Sequence, residues 1–386
     1  MNEFQELLNK RLERIQESKL PNHVKEVVRK ITYCRTNAMP GRLYSCPQGH
    51  FSIFLRESCN SRSCPTCQRT AKEEWRNKTK DLILKVPHYH IVFKIPSFCY
   101  PYITMYYKQF IDVLFNTSNQ AIHTILKYSQ YKKSIPGFIS VLHTHGDELQ
   151  LHPHLHMILS SVAFDRKRKS IVRVDDNFFD LNEFQEIYSN LLKKELIKLY
   201  NKNPEIGELF LKQVKNLKDQ RIFLSERYET GNHIIEYLSK TLKGSGINLN
   251  ELEKENEKIL IKKKQSISKL EEEEFVRRFI LHILPAYTKS VRYMGLYSSG
   301  SRTTLEEVRS KLCEEIFRQC DEIILEKRDN ILPENNEEME LHKYCPFCKS
   351  RMILIEEVDP YHAPSILRIK FGKDPPLEEL FTRLTA

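Results

Sequence analysis

The stretch His143-Thr-His145-Gly-Asp147-Glu-Leu-Gln-Leu-His152-Pro-His154-Leu-His156 constrains this chain more than any other, with five histidines in fourteen positions. Phe138 to His145 and Leu151 to Ser161 read as two strands joined by the polar turn Gly146-Asp147-Glu148. Strand residues two apart share a face, so His152, His154 and His156 project together. Pairing across the turn brings His143 to His154 and His145 to His152, with opposed Cβ atoms about 5 Å apart. Imidazoles crowded in this way are costly unless a metal, an anion or a hydrogen-bond network organises them. A three-histidine metal site keeps coordination positions open, so the ion can polarise a phosphoryl or carbonyl oxygen. Pro153 lacks a ladder donor, which predicts that its strand lies at an edge or is locally irregular there.

The second signal is a cysteine cluster, Cys46-Pro-Gln-Gly-His50 followed by Cys59-Asn-Ser-Arg-Ser-Cys64-Pro-Thr-Cys67. Tetrahedral zinc takes four thiolate or imidazole ligands, and paired ligands two to four residues apart let one turn present two of them. Cys64 and Cys67 form one pair and Cys46 and His50 the other, with Cys59 either a substitute for His50 or a spare. Four protein ligands leave no open position, so this zinc is structural. Cys34 is expected to lie outside it. Cys345-Pro-Phe-Cys348 is half a site, which His342 or Cys320 could complete. Arg56, Arg62 and Arg69, interleaved with the ligands, suit contact with phosphates.

The rest of the chain is consistent with a polyanion-binding protein. Of its 386 residues, 61 are Lys or Arg and 51 Asp or Glu, a net charge of +10. Residues 1–80 hold 16 basic and 8 acidic side chains, so the cysteine-bearing region supplies +8 of that excess. Glycine, at 11, is too scarce for the glycine-cradled nucleotide folds, and Gly295-Leu-Tyr-Ser-Ser-Gly300-Ser-Arg has Ser301 where a phosphate loop needs lysine. No apolar run approaches a membrane span and no signal peptide is evident, so a reduced cytoplasmic protein is expected, with no membrane partner. Helices are expected over 1–30, 102–130, 181–218 and 229–243, a strand within 85–95, and a short strand near Ile171 to Val174. The charge-rich stretch 250–274 reads as a surface helix or mobile insertion.

Within Ile234-Ile-Glu-Tyr237-Leu-Ser-Lys240, helical spacing makes Tyr237 and Lys240 neighbours, and a lysine beside a phenol favours the phenolate. Taken in order, SCNSRSCPTCQ, VPHYHIVFKIP, LHTHGDELQLHPHLHMIL, the tyrosine helix and RRFILHILPAYTKSVRYMGLY resemble the zinc-finger-bearing rolling-circle transposases of bacterial insertion sequences. These belong to the HUH endonuclease superfamily, named for the His-hydrophobic-His motif, here His154-Leu155-His156. The resemblance implies an α+β fold: a small antiparallel sheet, the HUH palm, flanked by helices and preceded by a zinc-binding module.

It implies a catalytic Mg²⁺ or Mn²⁺ on His143, His154 and His156, with Tyr237 as nucleophile, Lys240 beside it, and His145 and His152 behind the ligands or facing substrate. The activity implied is nicking and rejoining of single-stranded DNA ends through a 5′-phosphotyrosine. Some relatives carry a second tyrosine four residues on, where this chain has Thr241. Two-end chemistry would then use Tyr237 twice, a free 3′-hydroxyl, or a second protomer in a homodimer. Four segments are expected: 1–80, helical N-terminus and zinc module; 81–246, nuclease; 247–274, charged insertion; 275–386, completion of the core plus the CxxC unit and tail. Two rivals remain. A metallo-hydrolase would build on His143-x-His145-x-Asp147, but Glu148 stands where that motif needs histidine. A non-catalytic zinc DNA-binding protein would show no metal-dependent cleavage.

Overall fold

The computed structural model describes residues 1–128, 133–174, 180–218, 220–241, 246–263, 266–320 and 343–364. They form two compact units, one of residues 1–67 with 343–364, the other of residues 68–320. The boundary expected near residue 80 therefore falls at 67/68. The segment expected as one piece from 275 divides between the units, because its CxxC hairpin pairs with the N-terminal strands.

In the first unit, helices α1 (Glu3–Asn9), α2 (Leu12–Glu17) and α3 (Asn22–Thr32) pack through Leu7, Leu8, Ile15, Val24, Val28 and Ile31. A capping box at Asn2 and Gln5 starts α1. The buried Gln5 side chain then donates to the Ile31 and Cys34 carbonyls at the end of α3. Strands β1 (Gly41–Ser45) and β2 (Ser52–Arg56) pair antiparallel, and a C-terminal strand, named β12 below, covers the other edge of β1.

Helix α4 (Pro65–Leu82) leads into the second unit. There follow β3 (His88–Lys94), α5 (Tyr100–Ile103), α6 (Tyr107–Tyr128), β4 (Ser134–His145), β5 (Leu151–Asp165), β6 (Ser170–Arg173), α7 (Leu181–Lys202), α8 (Glu208–Lys215), β7 (Phe223–Leu224) and α9 (Asn232–Thr241). Next come β8 (Leu252–Glu255), β9 (Lys258–Lys263), β10 (Ser266–Glu271), α10 (Glu272–Leu281), β11 (Val291–Gly295) and α11 (Arg302–Cys320), and β12 (Ile353–Val358) then returns to the first unit.

The main sheet runs β11-β4-β5-β3-β7, with β6 also on β5. Its two faces alternate along the strands. Tyr89, Ile91, Phe93, Phe138, Leu155 and Met157 pack against α6, α7 and α8 through Phe110, Phe184, Leu192 and Phe210. Ile139, Val141 and Ile158 face α4, α9 and α11 through Trp75, Ile234, Ile235, Leu238, Leu305 and Val308. This is the expected α+β architecture, a small antiparallel sheet flanked by helices.

One local expectation changes, and that for Pro153 is met by its second alternative, a local irregularity. The stretch 250–274 is a three-stranded antiparallel meander, β8-β9-β10, followed by the start of α10. Its lysines and glutamates pair between strands, as Lys269 does with Glu255 and Lys258 with Glu271, so the charge that suggested a helix lines a solvated sheet. The strand carrying Pro153 lies inside the sheet, between β3 and β4. Pro153 is accommodated because β3 pairing ends at His154, and the β4 register shifts between His143 and His145.

Candidate active site and metal clusters

The face of the sheet carrying α9 also carries the histidines, because His88, His90, His143, His154 and His156 all occupy its alternate positions. His143 lies opposite His154 in the β4–β5 register. The coordinating atoms of His143, His154 and His156 lie within 4.8 Å of one another. Beyond His143 the bulge resets the pairing, so His145 faces Leu151 and not His152. His145 sits with its ring centroid 6.3 Å from that of His143 and 5.6 Å from that of His282. The His152 Nδ1 instead meets the Tyr100 hydroxyl at 2.9 Å. Neither belongs to the three-imidazole group.

The hairpin tip is anchored from outside. Arg278 donates to the Glu148 carbonyl, His282 Nε2 pairs with the Leu149 carbonyl at 2.8 Å, and Lys263 bridges to Asp147.

Two hydrogen bonds fix which nitrogens face the cluster. His154 Nδ1 is held by the His152 carbonyl at 2.7 Å, and His156 Nδ1 by His90 Nε2 at 2.8 Å. His156 Nε2 is buried and without a hydrogen-bond partner. A buried imidazole nitrogen left in that condition among other imidazoles fits a cation, which would take up its lone pair. Burial keeps the rings neutral and able to donate. It drives His143 well below the usual histidine range, with the neighbouring imidazoles adding to the effect. Burial likewise lowers His154 to about 4, His156 to about 2 and His145 to about 3.

His90 was not singled out from the sequence. It stacks on His156 with centroids 5.0 Å apart and stands against Tyr237 at 6.1 Å. Its signal was available: His88 and His90 are two apart on the predicted 85–95 strand, on one face of it.

Tyr237 sits on α9, which docks through Ile234, Ile235 and Leu238 and is tied to α4 by Lys80–Glu236 at 2.6 Å. That docking turns the Tyr237 ring edge-on to His156, centroids 6.0 Å apart, while leaving it 54% exposed. It is thus beside the histidines and reachable from solvent. Tyr228 precedes the helix, bridging to His88 at the sheet edge. The Lys240 side chain lies outside the described residues.

In the first unit the five expected zinc ligands are divided between two clusters. Cys59, Cys64 and Cys67 are joined by Cys34, and Cys46 and His50 by Cys345 and Cys348; in each group the ligand atoms lie within 4.8 Å of one another. Cys34 enters because the end of α3 returns to the ligand loop: its Sγ accepts from the Cys59 amide at 3.3 Å and lies 3.5 Å from Cys67 Sγ. Tetrahedral zinc with sulfur bonds near 2.3 Å has S–S edges of about 3.8 Å, close to these separations. The side chain of Cys320, and the whole of His342, the other suggested partners of Cys345 and Cys348, lie outside the described residues. Of the three arginines, Arg56 donates to the Met39, Asp359 and His362 carbonyls and lies 4.8 Å over the Phe54 ring. Arg62 is half-buried and Arg69 exposed.

Comparison with known proteins matches residues 4–95 to a transposase zinc-binding domain and residues 137–304 to the family described as "Putative transposase". The chain thus joins a transposase zinc-binding domain to a transposase domain. A relative named "Putative transposase y4qJ", from Sinorhizobium fredii, is 25% identical over 319 residues, 75% of this chain and 78% of the relative. The "Transposase for insertion sequence element IS801" of Pseudomonas savastanoi pv. phaseolicola is 27% identical over 146 residues, 37% of this chain and 34% of the relative. No solved structure matches the chain. The putative-transposase match starts on β4 and takes in the histidine hairpin and Tyr237, so this transposase has its histidine cluster inside its transposase domain. No described helix is long and apolar enough to cross a membrane.

Proposed function

We propose that this transposase nicks and rejoins single-stranded DNA at the ends of its element, in the bacterial cytoplasm, by rolling-circle chemistry with Tyr237 as nucleophile. The observation that carries the reading is the Tyr237 ring, 6.0 Å from His156 and open to solvent. His143, His154 and His156 would hold the catalytic ion, Mg²⁺ or Mn²⁺. Three imidazoles, with no carboxylate in the group among the described residues, favour Mn²⁺ over the oxygen-seeking Mg²⁺. When bound, the ion supplies charge to polarise the scissile phosphate and to offset what develops on it.

The chain's own groups do the rest. His90 and the His152 carbonyl fix the rings of His156 and His154, so that their Nε2 atoms face the cluster. The Tyr237 oxygen attacks phosphorus, an O–P bond forms, and the P–O3′ bond breaks. The tyrosine is left as a 5′-phosphodiester, and the 3′ oxygen takes up a proton. Attack by a 3′-hydroxyl reverses the exchange, so bond energy is conserved and no nucleotide hydrolysis is needed. Lys240, one helical turn on, is assigned to the phenolate or a phosphate oxygen. His145 and His152 border the site. Thr241 in place of a second tyrosine means that one protomer holds one covalent end at a time. An unpaired strand lets a phosphate reach the recessed histidines without melting a duplex. Arg62 and Arg69 are assigned to phosphate contacts beside the zinc ligands.

The test is cleavage of labelled element-end oligonucleotides, single- and double-stranded, with Mn²⁺, Mg²⁺ or EDTA. Cleavage confined to the single strand and abolished by EDTA is expected, with Mn²⁺ effective at lower concentration than Mg²⁺. Metal-independent cleavage, or a duplex preference, would overturn the proposal.

A further inference from the structure

The zinc-binding domain match ends at residue 95, yet two side chains of one described cluster come from the opposite end of the chain. Cys46 and Cys348 stand 302 positions apart in sequence, with their Sγ atoms 3.5 Å apart. His50 Nδ1 is 4.0 Å from Cys46 Sγ, and Cys345 completes the group. All these cysteines are free, and 3.5 Å is far longer than a disulfide bond of about 2.05 Å. For a Cys₃His zinc, bonds of about 2.3 Å to sulfur and about 2.05 Å to nitrogen give S–S and S–N edges of about 3.8 and 3.6 Å. The observed spacings bracket those edges.

The backbone around each pair is built for the purpose. After Cys46 the chain turns, with the Gly49 amide on the Cys46 carbonyl at 2.9 Å, the Gln48 amide aimed at Cys46 Sγ at 3.4 Å, and Gly49 at φ +75°. The turn after Cys345 repeats the plan: the Lys349 amide meets the Cys345 carbonyl at 3.0 Å, and Lys349 is at φ +60°. A non-glycine residue held in the left-handed region needs a surrounding structure that fixes it. The two turns close over a small apolar hub of Cys46, Cys345 and Met352, flanked by Tyr44, Phe51 and Ile53. Strand β12 pairs along the whole of β1, from Gly41–Val358 to Ser45–Ile353, and brings the second turn to the first.

We infer that Cys46, His50, Cys345 and Cys348 form a second structural zinc site, distinct from that of Cys34, Cys59, Cys64 and Cys67, which clasps the C-terminal hairpin to the N-terminal module. On binding Zn²⁺ the three thiols release three protons to solvent, His50 binds through a neutral ring nitrogen, and no redox change occurs. The clasp makes 343–364 a working part of the zinc module.

Metal content of the purified full chain tests this apart from any DNA chemistry. EDTA-resistant zinc should fall by one equivalent per chain in Cys345→Ser/Cys348→Ser, and by a different equivalent in Cys59→Ser/Cys67→Ser. In the cobalt-substituted protein, His50→Cys should convert a Cys₃His site to Cys₄, raising thiolate-to-cobalt charge-transfer absorption by about one cysteine's contribution. The inference is overturned if the double serine variant keeps wild-type zinc, or if His50→Cys leaves the cobalt spectrum unchanged. The cobalt arm decides the matter should the double variant prove insoluble. Loss of zinc with DNA cleavage intact would leave the proposed function standing, and the reverse holds too.

Discussion

His90 and His156, on adjacent strands, are hydrogen-bonded ring to ring, Nε2 to Nδ1 at 2.8 Å. The bond leaves only Nε2 of His156 for a ligand, and it commits His156 Nδ1 to carrying the shared proton when Nε2 binds a cation. Partners of this kind orient metal-binding imidazoles and raise their basicity, and their loss typically costs 10–100-fold in affinity. His90→Ala is therefore expected to weaken Mn²⁺ binding by about 10–100-fold in calorimetry, with cleavage regained at higher Mn²⁺. His90→Gln, which offers the carbonyl as acceptor, should recover part of the loss. A Mn²⁺ affinity unchanged in His90→Ala would remove His90 from the site.

Buried neutral histidines also set a pH limit. Burial lowers His88 to about 4, partly opposed by the Val86 carbonyl, and lowers His282 to about 4, partly opposed by the Leu149 carbonyl. The unfolded chain takes up these protons from about pH 6.5 downward, whereas the folded chain refuses them until about 4. Stability is thus complete above pH 6.5 and lost as pH falls, by up to about 1.4 kcal/mol per pH unit for each histidine. Trp75, the chain's one tryptophan and buried in this unit, reports it. Its urea midpoint in EDTA should drop steeply between pH 6.5 and 5, and His282→Gln should flatten that slope by about one proton. A midpoint level over that range would refute the linkage.

Gly295 ends β11 at φ +59°, opposite Gly137, where an added Cβ would run into the Pro136 carbonyl oxygen. Backbone cannot yield there as a flexible side chain could. Gly295→Ala is expected to destabilise the unit by about 3 kcal/mol or more, seen as a loss of soluble protein or a large fall in thermal midpoint. Gly300→Ala, where a Cβ meets nothing, is the matched control and should change little. Equal midpoints for the two would show the strand end to be looser than described.

Arg56 stands among the zinc ligands but spends its guanidinium on three backbone carbonyls. Arg56→Ala should lower the stability of the zinc unit by about 1–2 kcal/mol, and Arg56→Lys should not restore it, since an ammonium cannot fork. Arg62→Ala and Arg69→Ala should instead each reduce the salt slope of DNA binding by about one ion. Arg56→Ala that leaves stability intact and lowers the slope would reverse the assignment.

Much of this was legible because strand alternation is rigid. Given the turn at Gly146 and a period of two, His143 had to meet His154, and the shared face of His154 and His156 followed. The expected pairing of His145 with His152 fails because the ladder bulges beside Pro153, and the register beyond a bulge depends on where the ladder gives way. Tyr237 was read by likeness to relatives; from periodicity alone it is one of 18 tyrosines. The split of the cysteines was hidden for a different reason. Ligand spacing reveals pairs made by one turn, whereas Cys34 and the Cys345 pair arrive through the end of α3 and the pairing of β12, which are long-range contacts. The meander at 252–271 was misread because charge alone does not distinguish a solvated sheet from a solvated helix.

The central claim is that the Tyr237 oxygen becomes bonded to DNA. Wild-type chain incubated with a 5′-extended single-stranded element end and Mn²⁺ should give an SDS-resistant adduct. Its tryptic peptide should carry the nucleotide on Tyr237, and Tyr237→Phe should give none while keeping wild-type Mn²⁺ affinity. An adduct at wild-type yield in Tyr237→Phe, or one mapped to another residue, would contradict the account.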